Sequence, residues 1–291
     1  MVREPHHDKI NAITMPDKNK ILDGKTLSEK IIKKLAKEIK KMPRKPGLAA
    51  ILIGDDQSSH LYVKLKKQAC EKCEINFHYY YFESDCSEEE IIKAINFLNR
   101  DDDIYGILIQ LPLPEKFHTD NIISAIAPEK DVDGLRPKNL HQPLAAYPTI
   151  VSPLVLGIVE LIKSTREKIE NKKITILCNH KIFGEQFHGF YGADNEIKIL
   201  TANDANFEQE LTSADILIVA IGKPKFITEK MIKKDAIIID AGINKIDGKV
   251  VGDVDFENVL EKVKFISPVP GGVGPMTIAM LLRNLIKLPL K

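Results

Sequence analysis

Apolar runs of strand length recur along this chain with helical stretches between them, and that alternation limits its fold more than any other feature. Leu48 to Ile53, the aromatic-rich Ile75 to Phe82, and Ile104 to Ile109 are three such runs. Before the first, Thr26 to Met42 carries Ile31, Leu35 and Ile39 at helical spacing among lysines and glutamates, and Pro43 ends it. A helix is expected to open at Leu61, after the polar run Asp55 to Ser59. Farther on, Ser87 with Glu90 three residues later forms a capping box for a helix reaching Leu98. Strands joined through helices cannot pair as hairpins, so the pattern predicts a parallel sheet covered on both faces.

The alternation pauses near Ala146. The link Gln142-Pro143-Leu144-Ala145-Ala146-Tyr147-Pro148 reads as a boundary, and beyond it Ser152 as cap and Pro153 at the first position start a helix running to about Ile162. A second series follows: strand Ile174 to Cys178, a helix past Gly184, strand Ile197 to Leu200, helix Phe207 to Leu211, and strands Ile216 to Ile221 and Ala236 to Asp240. An apolar helix, Met276 to Leu288, comes after a loop rich in proline and glycine. The expected fold class is therefore α/β in two domains: an N-terminal α/β domain at residues 21–146 completed by residues 276–291, and a parallel-sheet domain at residues 147–275. Residues 1–20 read as a flexible tail. Sheets of this kind take ligands at the carboxyl ends of their strands, where the strand order reverses.

A chain of 291 residues is long enough for two proper cores. Its 42 basic and 41 acidic residues leave a net charge of +1, which gives no nucleic-acid surface and no polybasic membrane surface. No apolar run reaches membrane-spanning length, and Met1 to Lys20 lacks the apolar stretch of a secretion signal. A cytoplasmic protein acting on small molecules is expected. Cys70, Cys73, Cys86 and Cys178 read as thiols in a reducing compartment. The Cys70-x-x-Cys73 spacing has no second pair and no histidine at ligand distance, so no metal site is indicated.

The chemistry is expected on the helix that opens at Leu61. Tyr62 and Lys66 stand four apart and share a face. Leu61, Leu65, Ala69 and Cys73 form the neighbouring apolar row, expected to be buried and to hold the Tyr62/Lys66 row at the edge of the core. A lysine so placed loses hydration and can serve as an acid or base. The plainer explanation is a solvated basic face. Four more stretches stand out: Gly106 to Pro114, which delivers Gln110 at a strand's carboxyl end; Lys130-Asp131-Val132-Asp133-Gly134; Ala220-Ile221-Gly222-Lys223-Pro224; and Pro268 to Pro275. Each also has an ordinary structural explanation: Gln110 as a capped strand end, Asp131 and Asp133 as an Asx-turn, the glycines as a linker.

Together, however, these stretches resemble in identity and order the bifunctional methylenetetrahydrofolate dehydrogenase/methenyltetrahydrofolate cyclohydrolase family of one-carbon metabolism. The resemblance runs from about Ile21 to Lys287 and rests on Tyr62-Val63-x-x-Lys66, Gly106 to Pro114, Lys130 to Gly134, Ala214-Asp215-Ile216-Leu217, Ala241-Gly242-Ile243-Asn244 and Pro268 to Thr277. It implies a catalytic, folate-binding first domain and a Rossmann-like second one that binds NADP or NAD. It further implies a homodimer through the second domain and interconversion of 5,10-methylene-, 5,10-methenyl- and 10-formyltetrahydrofolate. By the same resemblance Lys66 assists both steps, Tyr62 stacks near the pterin and hydrogen-bonds Lys66, and Gln110 sets the protonation of Lys66. Asp133 binds the pterin's amino-pyrimidine edge, and Pro270, Gly271 and Gly272 line the cleft.

The second domain departs from the family pattern where the dinucleotide is held. Cys178-Asn179-His180 stands for Gly-Arg-Ser, and Ile182-Phe183-Gly184-Glu185-Gln186 for Ile-Val-Gly-x-Pro. Ser152 to Gly157 replaces Pro-Cys-Thr-Pro-x-Gly, and Leu200-Thr201-Ala202 replaces Cys-His-Ser. The glycine that allows close approach to a pyrophosphate and the arginine suited to a 2′-phosphate are both missing. Cofactor contacts are expected at Cys178, Asn179, His180, Gly184, Gly222 and Ile243, with Asn203 or Asp204 near the ribose if the cofactor is NAD. His180 is read either as a phosphate contact or as a loop histidine facing water. The cyclohydrolase half is the one these departures leave untouched. The rival reading is a non-catalytic folate-binding or regulatory paralogue without nucleotide binding.

Overall fold

In the computed structural model, which describes residues 20–136 and 150–288, the first apolar run is strand β1 (Gly47–Ile53), buried along its whole length. It is the middle strand of a parallel sheet ordered β2-β1-β3, with β2 at Asn76–Phe82 and β3 at Ile104–Ile109. Alternate residues of β1 serve two cores, as the pleat requires. Leu48 and Ala50 meet helices α1 (Gly24–Ile39) and α2 (Gln57–Lys72), through Leu35, Ile39, Ala69 and Cys70. Ala49, Ile51 and Ile53 face the other way, toward Ile91, Ile95 and Leu98 of α3 (Glu88–Arg100) and Ile122 of α4 (Thr119–Ser124). The Ser87/Glu90 capping box closes as expected.

The second series builds a five-stranded parallel sheet. Its helices and strands in order are α5 (Pro153–Ser164), β4 (Lys173–Cys178), α6 (Lys181–Glu185), α7 (His188–Tyr191), β5 (Glu196–Leu200), α8 (Phe207–Ser213) and β6 (Ile216–Ala220). Then come β7 (Ile237–Asp240), a small antiparallel hairpin of β8 (Asn244–Ile246) and β9 (Lys249–Val251), α9 (Phe256–Val259), β10 (Phe265–Ile266) and α10 (Val273–Lys287). Strand order is β10-β7-β6-β4-β5. Ile174, Ile176, Ile216, Ile218, Ile237 and Ile239 pack toward α5 and α10, while Leu177, Leu217, Val219 and Ile238 pack with Leu211, Val259 and Leu260 on the opposite face. Helices α4 and α9, the hairpin and β10 are additions to the expected element list. The helix expected past Gly184 is two short pieces, and Pro153 takes the first position of α5 without a side-chain cap from Ser152.

Helix α10 ties the halves together. It packs Leu281, Leu282 and Leu285 into the first sheet's core and Met276 and Met280 into the second's. Its buried Asn284 donates through Nδ2 to Val132 O at 3.0 Å and to Val151 O at 2.9 Å, so one amide fastens two segments that lie 19 residues apart in the chain. Near the start of that helix Ile21 forms a parallel bridge with Ile266, and Leu22 joins the second sheet's core. The tail at residues 1–19 and the Gln142 to Pro148 link lie outside the described residues. No described helix is long and apolar enough to cross a membrane.

Candidate active site

In each sheet the chain leaves a central strand to one side and returns on the other: β1 lies between β2 and β3, and β4 between β5 and β6. The two reversals open crevices at the carboxyl ends of β1/β3 and of β4/β6, which is where ligands of such sheets bind.

The first crevice receives Lys66 from α2. Asp56 caps that helix, its Oδ2 accepting from Ser59 N at 2.7 Å, so the helix starts at Gln57, earlier than Leu61. The expected burial of the Leu61/Leu65 row is incorrect: Leu61 is 54% and Leu65 39% exposed. The buried stripe is Ser59, Val63, Lys66, Ala69 and Cys70, with Cys73 buried at the end. The helix is rotated because its lysine, 9% exposed, turns inward to a polar partner. Lys66 Nζ donates to Gln110 Oε1 at 3.0 Å. Gln110 follows β3, where its backbone N donates to Ile51 O at 2.8 Å and its Nε2 to Leu111 O at 2.8 Å. The Leu111–Pro112 bond beyond it is cis.

Burial holds the Lys66 ammonium below the ordinary lysine range, and the charge of Asp133 works against that shift. Asp133 is half-buried, and loss of hydration pushes its carboxyl up to about 6 despite the attraction of Lys66. The two acids of this turn do different things. Asp131 is spent on the backbone, accepting from Arg136 N at 3.0 Å and Leu135 N at 3.4 Å. Gly134, at φ +63°, makes the turn, and a Cβ there would meet Ile150 O at 2.6 Å.

Tyr62 is half-buried, and burial pushes its phenol up. Its hydroxyl lies 4.0 Å from where a Cβ on Gly274 would stand, at the start of α10. The hydrogen bond to Lys66 implied by the resemblance is not among the described ones; α2 presents the phenol toward α10 and the amine toward Gln110. Pro270 is exposed, Gly271 half-buried and Gly272 buried. Lys25 N donates to Gly271 O at 2.8 Å, and a Cβ on Gly24 would come within 1.9 Å of Gly272 O. The glycine loop is thus docked on the first turn of α1.

The second crevice is framed by backbone and buried acids. Asp253 Oδ2 accepts from Ile221 N at 2.7 Å and Gly222 N at 3.1 Å, and its Oδ1 from Lys223 N at 2.8 Å and Asn244 Nδ2 at 2.8 Å. Asp240 accepts from Gly242 N, Asp253 N and Val254 N, and burial pushes its carboxyl up to about 7. Neither acid is singled out by the sequence reading, although an aspartate closing the apolar Ile237 to Ile239 run was a usable signal. Asn179 Nδ2 donates to Ile221 O at 2.9 Å, crossing from the β4 end to the β6 end. His180 is exposed and makes no side-chain cap. Gly184 packs where a Cβ would meet Ile199 at 2.7 Å, and Ile243 is 52% exposed.

The sequence profile described as "Tetrahydrofolate dehydrogenase/cyclohydrolase, catalytic domain" matches residues 22–133, and the "NAD(P)-binding domain" profile of the same name matches residues 153–290. The chain belongs to the tetrahydrofolate dehydrogenase/cyclohydrolase family. It is 42% identical over 272 residues to the bifunctional protein FolD of Nautilia profundicola, covering 92% of this chain and 96% of that protein. The crystal structure of the FolD methylenetetrahydrofolate dehydrogenase/cyclohydrolase of Campylobacter jejuni superposes with a TM-score of 0.86 at 38% identity, over 92% of this chain and 97% of that one. The Trypanosoma brucei FolD, solved with NADP cofactor and an inhibitor, gives 0.87 at 29% identity, over 92% and 96%.

The second crevice of this family member fits a dinucleotide. Gly222, at φ +64°, has nothing within 4 Å of a Cβ position, which leaves an open cradle of backbone at the β6 end. Cys178, expected among the cofactor contacts, turns into the core. Its side chain is 1% exposed, sits in the core cluster with Val155 and Phe187, and its Sγ donates to His180 O at 3.3 Å.

Proposed function

We propose that this chain interconverts 5,10-methylene-, 5,10-methenyl- and 10-formyltetrahydrofolate, with Lys66 as the general base and acid of the hydrolytic step. The observation that carries the reading is the buried Lys66 amine on Gln110 Oε1, with Asp133 on the same crevice. A methenyl cation beside Lys66 adds to the burial that already disfavours the ammonium, so the amine is neutral when water attacks. Lys66 takes the proton of that water and returns it to the departing ring nitrogen. Gln110 Oε1 fixes where the amine points. Asp133 pairs with the donor edge of the pterin, the Tyr62 ring faces the flat heterocycle, and Pro270, Gly271 and Gly272 close the cleft over it.

A nicotinamide dinucleotide supplies the hydride acceptor for the dehydrogenase half. Asn179, His180, Gly222 and Ile243 are the residues that would hold it, on the frame made by Asp240 and Asp253. Gly184 and Cys178 act from behind, through packing. We take residues 21–146 with 276–291 as the folate domain and 147–275 as the nucleotide domain, with a homodimer through the latter and a cytoplasmic location.

The test is hydrolysis of 5,10-methenyltetrahydrofolate, followed by loss of its absorbance, with wild type and Lys66→Met. Loss of activity with an unchanged circular dichroism spectrum supports the assignment. An undiminished rate removes Lys66 from the mechanism.

A further inference from the structure

We propose that the nucleotide crevice selects NAD over NADP, and that Asp204 at the carboxyl end of β5 is the residue that selects. This rests on the dehydrogenase half of the function above and specifies its cofactor.

β5 flanks β4, the strand at the order reversal, so the segment after Leu200 borders the crevice on the side where an adenosine ribose lies in such units. Asp204 is fixed there. Its Oδ2 accepts from Thr201 N at 2.6 Å and from Thr201 Oγ1 at 3.0 Å. Those bonds hold the carboxyl below the usual range, so it is an anion at neutral pH. Both described bonds fall on Oδ2, and Oδ1 remains as an acceptor. A ribose 2′-hydroxyl is a donor and matches it; a 2′-phosphate is a dianion and is repelled by it.

No guanidinium offsets that repulsion. From Glu167 to Leu282 the chain contains no arginine at all, so no guanidinium of the second sheet can grip a 2′-phosphate. Asn179, at the position where the family pattern has arginine, has its amide on Ile221 O at 2.9 Å. Lys198 of β5 is held by Glu210 at 2.7 Å and Glu196 at 3.4 Å. Lys181 is the cation that acts on Asp204, and the carboxylate offsets its charge.

Titration of the purified full-length protein with NAD and with NADP, by calorimetry, tests this without turnover. NAD is expected to bind about tenfold tighter or more. Asp204→Ser should shrink that ratio at least about fivefold, mostly by tightening NADP. Equal or tighter NADP binding by wild type overturns the proposal, and a ratio unmoved by Asp204→Ser overturns the role of Asp204. If neither nucleotide binds, the proposal falls together with the dehydrogenase half. Hydrolysis of methenyltetrahydrofolate needs no nucleotide, so its persistence would then isolate the failure to this crevice.

Discussion

The two crevices sit at equivalent reversals of strand order but are built from different parts. At the β1/β3 end, function rests on side chains that reach one another across the fold: Lys66 from a helix, Gln110 from a strand end, Asp133 from a turn. At the β4/β6 end, backbone forms much of the crevice, and the side chains of Asp240 and Asp253 brace it from behind. Proton transfer needs a group of one chemistry at one point. Cradling a dinucleotide needs exposed N–H groups and room, which many side chains leave undisturbed. That difference explains how Cys178-Asn179-His180 can stand where the family pattern has Gly-Arg-Ser while the fold of the crevice persists.

Substitutions that strike one crevice and spare the other sharpen this contrast. The largest effect is expected from Lys66→Met, a loss of about 10²- to 10⁴-fold in cyclohydrolase rate with nucleotide affinity unchanged. Loss of both together would break the comparison. Next comes Asp253→Ala, which strands the N–H groups of Ile221, Gly222 and Lys223 and the amide of Asn244. It should cost roughly 3 kcal/mol or more, about 6–12 °C in thermal midpoint, and weaken nucleotide binding before it touches the folate site.

Asp133→Asn is expected to act on pH dependence. Asp133 raises the Lys66 pKa, so its removal lets that pKa fall and the acid limb of the hydrolysis profile moves to lower pH. A limb that stays put would separate Asp133 from Lys66. The same change tests linkage. Because the folded Asp133 pKa is raised to about 6, the carboxyl favours the folded state below its unfolded value near 3.9 and loses that contribution as pH rises through 6. The variant should therefore gain stability relative to wild type between pH 4 and 7. The smallest effect is expected from Cys178→Gly: about 1 kcal/mol of stability from the emptied core position, with nucleotide affinity changed by less than about twofold. A large gain in affinity would mean that the thiol does face the cleft.

Much of the fold was legible because β1, β3, β4 and β6 are apolar on both faces, and runs such as Leu48 to Ile53 stand out from their surroundings. The hairpin β8/β9 is short and exposed, so no hydrophobic pattern marks it; its signal was the Asp247-Gly248 turn, where both residues have positive φ. At the active site the Tyr62/Lys66 pair and Gln110 were readable, but the rotation of α2 was not. A lysine inside the buried stripe reads as polar, so patterning assigned the core face to Leu61 and Leu65, which are exposed. Cys178, expected among the cofactor contacts, lies in the core at 1% exposed, since residue identity alone does not say toward which side of a strand end a thiol turns.

The central claim is that burial against Gln110 makes the Lys66 amine a base. Proteins labelled with carbon-13 at the lysine ε position, wild type and Lys66→Met, titrated by NMR, test it most directly. The account predicts one resonance, absent from the variant, that titrates well below the other lysines; a Lys66 resonance that titrates among them would contradict it.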